Sequence, residues 1–263
     1  MKQLMMIGFG AMAEEVLSHM PEDLQLKWVV TTERSLARVQ AHVDSSVQVL
    51  TSLEDCIGEP DLVIECAGQP GVRAHGVEVL KRGWDLALIS VGALADRQLF
   101  DQLQAAATVG NAHLLALPGA IAGIDGLAAA REGGLDEVTY ICRKSPASWK
   151  GSPADQLVDL DAVEQAQIFF EGSAREAALA FPANANVAAT IAMASLGLDD
   201  TRVQLVVDPQ TTSNQHLIHA HGRFGEMNIQ MAGKPLDSNP KTSTLAALSV
   251  VRACRQSVST LVI

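Results

Sequence analysis

Residues 1–117 alternate short apolar runs with helical patterns, and nothing else in the chain restricts the fold as tightly. The runs LMMI (4–7), LKWVV (26–30), DLVIEC (61–66) and LALIS (86–90) are each followed by helical periodicity, at 11–20, 36–42, 72–82 and 96–109. Shorter runs at 47–50 and 113–117 complete the series, with a turn of helix at 54–57. The runs are continuous rather than alternating. A strand of that kind is buried on both faces, and a helix between two such strands returns the chain so that they lie parallel. The first domain is therefore predicted to be α/β, a parallel sheet covered on both sides by helices.

The second half changes character. A strand is expected at 137–143 and a loop in the polar, Pro-containing stretch 145–161. An Ala-rich helix follows at 186–198, then three successive antiparallel strands at 203–207, 216–221 and 226–231. Residues 222–225 (GRFG) make the hairpin turn between the last two. An amphipathic helix at 242–255 ends the chain. No Gly/Ser linker or repeat interrupts the sequence, so the join is placed at Pro118–Gly119. The predicted organisation is a dinucleotide-type parallel domain over 1–118, completed by 240–263, and a second mixed α/β (α+β) domain over 119–239.

The chain has 263 residues and a formal net charge of -11. That balance repels phosphate backbones and anionic lipid, so nucleic acid and membranes are not expected partners. Its four cysteines, Cys56, Cys66, Cys142 and Cys254, have no metal-type or redox spacing and read as free thiols of a reducing compartment. Gly8, Gly10, Glu14 and Glu15 interrupt what would be a signal peptide's apolar core. A cytoplasmic location is expected.

Directly after the first strand, Gly8-Phe9-Gly10-Ala11-Met12-Ala13 fits G-x-G-x-x-A and opens a helix. Gly8 permits the tight turn, Gly10 lets a pyrophosphate approach the backbone, and Ala13 lets helix and strand pack closely. The helix N-terminus supplies free N–H groups and a favourable dipole. With βα units following, this is a Rossmann nucleotide site, and Ala11 and Met12 join Gly8 and Gly10 as candidate contacts. The second strand ends in Thr31 and Thr32, not in the acid that usually holds the ribose 2′-hydroxyl. Without that acid nothing repels a 2′-phosphate, and Arg34 could pair with one. NAD with tolerance for NADP is predicted. Ala67 and Gly68 (ECAGQPG), and Gly92 and Ala93 (SVGALAD), lie where later strands end at the same edge.

SNQHLIHAHG, residues 213–222, holds three of the chain's seven histidines. On an extended strand His216 shares one face with Ile218, while His219 and His221 share the other. The three cannot converge on one ion without a bulge, and no carboxylate or cysteine completes a set, so no metal is predicted. Asn214 falls on the face of His216. The cationic stretch NPKTS, leading into the final helix, offers Lys241, Thr242 and Ser243 to an anionic substrate, with helix capping as the plainer alternative. Lys144 is a second candidate cation. Asn186 opens its helix either as a cap or as a contact to a carboxamide.

Several segments together resemble one family, the L-aspartate dehydrogenases: GFGAMAEEV, ECAGQ, SVGALAD, LPGAIAGIDGL, FPANANVAATIAMASLG, NQHLIHAHGRFG and NPKTSTLAALS. They follow the family's order across nearly the whole chain. The resemblance implies oxidation of L-aspartate with NAD or NADP to iminoaspartate, which hydrolyses to oxaloacetate and ammonia, and the reverse reductive amination. It also implies a homodimer, an active-site histidine at His216, and nucleotide contacts at Ala120 and Asn186. One departure is CRKSPASWKG, where Ser145 replaces the first proline of the family's Lys-Pro-Pro. Two competing readings are another small Rossmann reductase, similar to the dihydrodipicolinate reductases, and a non-catalytic NAD(H) sensor. The first would carry an adjacent His-His pair with a following Lys, which this chain lacks. The second would not need His216.

Overall fold

A computed structural model describes residues 1–182 and 186–263. By internal contacts the chain divides into two units, 1–119 with 237–242 and 246–263, and 120–236 with 243–245.

In the first unit β1 (Lys2–Ile7), α1 (Ala11–Ser18), β2 (Leu24–Val30), α2 (Leu36–Gln40) and β3 (Gln48–Leu50) are followed by β4 (Leu62–Glu65), α3 (Gln69–Lys81), β5 (Leu86–Leu88), α4 (Arg97–Gly110) and β6 (Leu114–Ala116). The strands form one parallel sheet in the order β3-β2-β1-β4-β5-β6. The strand order reverses beside β1, the switch point at which such sheets bind ligands.

Both faces of this sheet are dry, as the continuous apolar runs require. Leu4 and Met6 of β1 join Ala13 and Val16 of α1 in one core, together with Val250, Val251 and Cys254 near the chain's end. Met5 and Ile7, on the opposite face, are equally buried. There α3 and α4 cross closely enough that side chains are excluded. A Cβ on Gly110 would lie 1.9 Å from the Leu80 carbonyl oxygen, and one on Gly76 would lie 2.8 Å from Leu103 Cδ2. Asp96 caps α4 by accepting from Leu99 N–H at 3.2 Å, and Asn111 ends the helix in a left-handed conformation at φ 52°.

In the second unit α5 (Ile124–Gly133), β7 (Leu135–Lys144), α6 (Pro146–Trp149), β8 (Gln167–Ser173), α7 (Ala174–Ala180) and α8 (Asn186–Met193) precede β9 (Arg202–Val207), β10 (Asn214–Gly222) and β11 (Gly225–Gly233). Then come β12 (Pro235–Leu236) and two elements that belong mostly to the first unit, β13 (Asn239–Ser243) and α9 (Thr244–Val258). The main sheet is mixed, in the order β11-β10-β7-β9-β8, with β7 and β9 parallel and the other neighbours antiparallel. Along β7 and β10 burial alternates, the mark of a sheet with one covered face. Val187–Ala192 of α8 are buried, and Trp149, Phe169, Phe170 and Phe181 pack edge to face nearby.

Four expectations are corrected. β9 does not neighbour β10, because β7 lies between them; the consecutive burial of Leu205, Val206 and Val207 suits a central strand rather than a meander. The stretch 145–161 is not all loop but contains α6 and a 3-10 turn at Pro153–Gln156, each started by a serine cap. β8, α5 and α7 were not anticipated. The last helix starts at Thr244, two residues later than expected. The hairpin turn lies where the sequence put it, with Gly222 paired to Gly225.

Replacing Gly110 with alanine should drive a methyl group into the α3–α4 crossing. Such overpacking costs about 1–3 kcal/mol, and urea denaturation of Gly110→Ala should show a loss of that size at unchanged m-value.

Candidate active site

Because the first sheet is parallel, the C-terminal ends of β1, β4 and β5 share an edge. Gly8 follows β1 with φ +84°, and a Cβ there would lie 2.6 Å from Ala67 Cβ, so only glycine fits. Ala67 itself follows β4. Gly10 caps α1 without a side chain, and a Cβ on it would meet nothing within 4 Å. The first-turn N–H groups of α1 have no intrahelical acceptors. An open backbone above a helix N-terminus is the cradle a pyrophosphate needs, so these residues fit a dinucleotide. Ala11 and Met12 form the first turn of α1, Gly68 starts α3 at φ +81°, and Gly92 and Ala93 are buried in a 3-10 turn after β5.

Arg34 lies exposed in the 3-10 turn Glu33–Ser35. Four residues on, Arg38 reaches back to the glycine turn, where its guanidinium donates to the Phe9 carbonyl and sits 3.7 Å from Glu14 Oε1. The cation placed at the glycine turn is therefore Arg38, which the sequence reading did not single out. Its spacing was the available signal, since residues four apart share a helical face.

A second missed residue is Glu65, the last of β4. Its Oε1 accepts from Ala67 N–H at 2.7 Å and Gly68 N–H at 2.6 Å, and its Oε2 accepts from Ser90 N–H at 3.0 Å. One buried carboxylate thus holds two of the loops at the nucleotide edge. Burial pushes its pKa up, against the hydrogen bonds from Ser90, Ala67 and Gly68.

In the second unit β10 pairs with β7 so that His216 faces Cys142, and Gln215 faces Arg143. One residue further, Asn214 and Lys144 end the two strands. His216, Lys144 and Tyr140 are all buried on the covered face. The Lys144 ammonium lies 4.8 Å from the Trp149 ring centroid. Tyr140 Oη and His216 Nδ1 are 2.7 Å apart. Burial first, and then the Lys144 charge, push the His216 pKa down to about 4. The imidazole is therefore neutral at physiological pH. His219 and His221 point to the exposed face, where Asn228 and Asp136 respectively partner them.

Two further candidates come to this end of the sheet. Ala122 N–H donates to Met231 Sδ at 3.0 Å, and Met231 pairs with His216, which brings the turn containing Ala120 close by. Ser243 Oγ is buried and has no hydrogen-bond partner among the described residues. It lies 3.8 Å from where a Gly233 Cβ would stand, and Gly233 pairs with Asn214.

NPKTS is strand β13 rather than the first turn of a helix, so Lys241, Thr242 and Ser243 are held by strand geometry and not by a helix N-terminus. Thr242 Oγ1 accepts from Asn239 Nδ2 at 3.0 Å. The Lys241 side chain lies outside what the structure describes, as do residues 183–185 of FPANANVAAT. Asn186 is the first residue of α8, and its carbonyl accepts from Thr190 Oγ1 at 3.0 Å. Ser145 caps α6 by accepting from Ser148 N–H, which gives this departure from Lys-Pro-Pro a local role. Among the described residues no cluster of three His, Cys, Asp or Glu is placed to hold a metal ion, and no helix is long and apolar enough to cross a membrane.

Two family models match the chain. The family model "Homoserine dehydrogenase, NAD binding domain" matches residues 8–116, and "Aspartate dehydrogenase, C-terminal" matches 125–257. An L-aspartate dehydrogenase of Acinetobacter baylyi is 61% identical over 98% of each chain. The chain belongs to the L-aspartate dehydrogenase family. The Serratia proteamaculans L-aspartate dehydrogenase is 57% identical, again over 98% of each chain. The fold of the Thermotoga maritima aspartate dehydrogenase matches with a TM-score of 0.79 at 22% identity, covering 100% of this chain and 99% of that one. The family's nucleotide domain thus coincides with the glycine turn, and its C-terminal domain contains His216, Lys144 and Tyr140.

Glu65→Gln should raise the NADH dissociation constant about tenfold, since an amide nitrogen in place of Oε2 leaves the buried Ser90 N–H unpaired at a cost of about 1–3 kcal/mol. Fluorescence titration reads this, and an unchanged constant would show that the loops do not need the carboxylate.

Proposed function

We propose that the protein oxidises L-aspartate reversibly with NAD or NADP to iminoaspartate, which water converts to oxaloacetate and ammonia. The observation that carries this reading is a neutral buried imidazole beside a buried ammonium, His216 with Lys144, in a member of the L-aspartate dehydrogenase family.

In this reading the first unit binds the nucleotide. Gly8, Gly10, Ala11 and Met12 receive the pyrophosphate, and Arg34 or Arg38 meets the ribose side. Ala67, Gly68, Gly92 and Ala93 form the edge held by Glu65. The second unit binds substrate, and the family resemblance implies nucleotide contacts at Ala120 and Asn186. Aspartate carries two carboxylates, and Lys144 offers the charge to hold one. Asn214 and the Ser243 hydroxyl, which has no partner among the described residues, add hydrogen bonds, and Lys241 and Thr242 of β13 are further candidates. The cofactor supplies the hydride acceptor. His216 takes the proton of the substrate ammonium, which a neutral imidazole can do and an imidazolium cannot. A cytoplasmic homodimer fits the four free thiols and the half-covered mixed sheet.

The Lys144 charge gives this mechanism a pH signature. A carboxylate bound at Lys144 offsets the charge that depresses the His216 pKa, so that pKa is higher in the complex than in the free enzyme. The neutral form is the active one, so aspartate oxidation falls on acidification. The acid limb of kcat should therefore lie at higher pH than that of kcat/KM. His216→Ala should lower kcat by about 100-fold, within the range for a general acid/base, with NADH affinity near wild type. Turnover near wild type in His216→Ala would end the assignment.

A further inference from the structure

Tyr140 lies in the expected strand 137–143 but was not among the candidate site residues, yet it makes the one side-chain hydrogen bond that His216 has among the described residues. The Oη–Nδ1 distance is 2.7 Å, and the two rings stack at 11° with centroids 6.0 Å apart. Tyr140 is 0% exposed and His216 6%, so neither ring is held by solvent. The phenol also meets the Cys142 thiol, which directly faces His216 across the strand pair.

A neutral imidazole has one donor and one acceptor nitrogen, and the partner of one fixes the role of the other. With Nδ1 held by Tyr140, Nε2 has no hydrogen-bond partner among the described residues. From β7 the groups facing His216 are Tyr140, Cys142 and Lys144, and from β11 the paired residue is Met231. None is a carboxylate. A carboxylate partner would stabilise imidazolium and raise basicity, as second-shell acids do. A phenol kept protonated by burial orients the ring without adding charge.

We propose that Tyr140 is a positioning residue, whose phenol oxygen accepts from His216 Nδ1–H and so keeps Nε2 as the nitrogen that exchanges the substrate's proton. This rests on the reading of His216 as the acid/base group. In oxidation an N–H bond of the substrate ammonium breaks and an Nε2–H bond forms. The positive charge passes to the imidazole, whose Nδ1–H stays on Tyr140, and a bound nicotinamide cofactor would supply the acceptor for the Cα hydride. In reductive amination the same Nε2 proton returns to the amine.

The test is a double-mutant cycle on the full-length enzyme with Tyr140→Phe, His216→Ala and the pair, assayed in both directions alongside NADH titration and thermal melting. Phenylalanine keeps the stacked ring and removes only the hydroxyl. Tyr140→Phe should lower kcat about 10- to 100-fold in both directions, with the NADH dissociation constant within about twofold of wild type. In the His216→Ala background the same change should cost nothing further, because an effect exerted through His216 vanishes with it. A kcat within about twofold of wild type, or an equal loss in both backgrounds, would overturn the inference. Full turnover in His216→Ala alone would instead remove the reading beneath it. If Tyr140→Phe melts too low to assay, long-range 1H–15N spectra of the wild-type protein decide, with His216 identified by its absence in His216→Ala. The Nδ1–H tautomer supports the inference, and the Nε2–H tautomer contradicts it.

Discussion

The chemistry of the second unit depends on one register, that of β10 on β7. Side chains alternate faces with a period of two, so a slip of one residue would send His216 to solvent and bring His219 and His221 inside. The register that buries Ile218 and Ala220 also buries His216 opposite Cys142, next to Lys144 and Tyr140. Packing and chemistry thus share one constraint. The apolar residues fix the strand, and the strand then holds an imidazole and an ammonium where neither would go alone. Burying them costs solvation, and the depressed His216 pKa is the visible part of that cost.

The first unit solves a different problem with backbone rather than side chains. Its parallel sheet brings three loops to one edge, and small residues there keep the backbone accessible. Gly8 approaches Ala67 so closely that a Cβ on Gly8 would lie 2.6 Å from the Ala67 Cβ. Glu65 then ties the loops after β4 and β5 together from beneath. A buried acid in this position ties three backbone N–H groups of the edge to one side chain.

Much of this was legible in the sequence, and what was not has physical reasons. Continuous apolar runs and the glycine turn identified the parallel sheet and its edge, because burial on two faces leaves a strong pattern. Parity alone separated His216 from His219 and His221. The pairing of β9 with β7 was not legible, since a run such as VQLVV states burial but not its neighbours. α7 carries a capping-box signature, Ser173 with Glu176, that could have been found. β13 was read as a helix start because Thr and Ser are good caps, yet backbone pairing with β12 prevailed. Tyr140 and Glu65 escaped because their roles come from contacts across strands and loops, which no local spacing encodes. Arg38 escaped because the preceding arginine stood nearer the strand end.

The central claim is that this buried His–Lys face serves a four-carbon dicarboxylate. The most direct measurement is NADH oxidation by the purified protein with ammonia and a panel of oxo acids. Oxaloacetate should support turnover with kcat/KM at least about 100-fold above pyruvate and 2-oxoglutarate, the scale at which an unpaired buried polar group discriminates between substrates. Comparable rates with pyruvate or 2-oxoglutarate would contradict it.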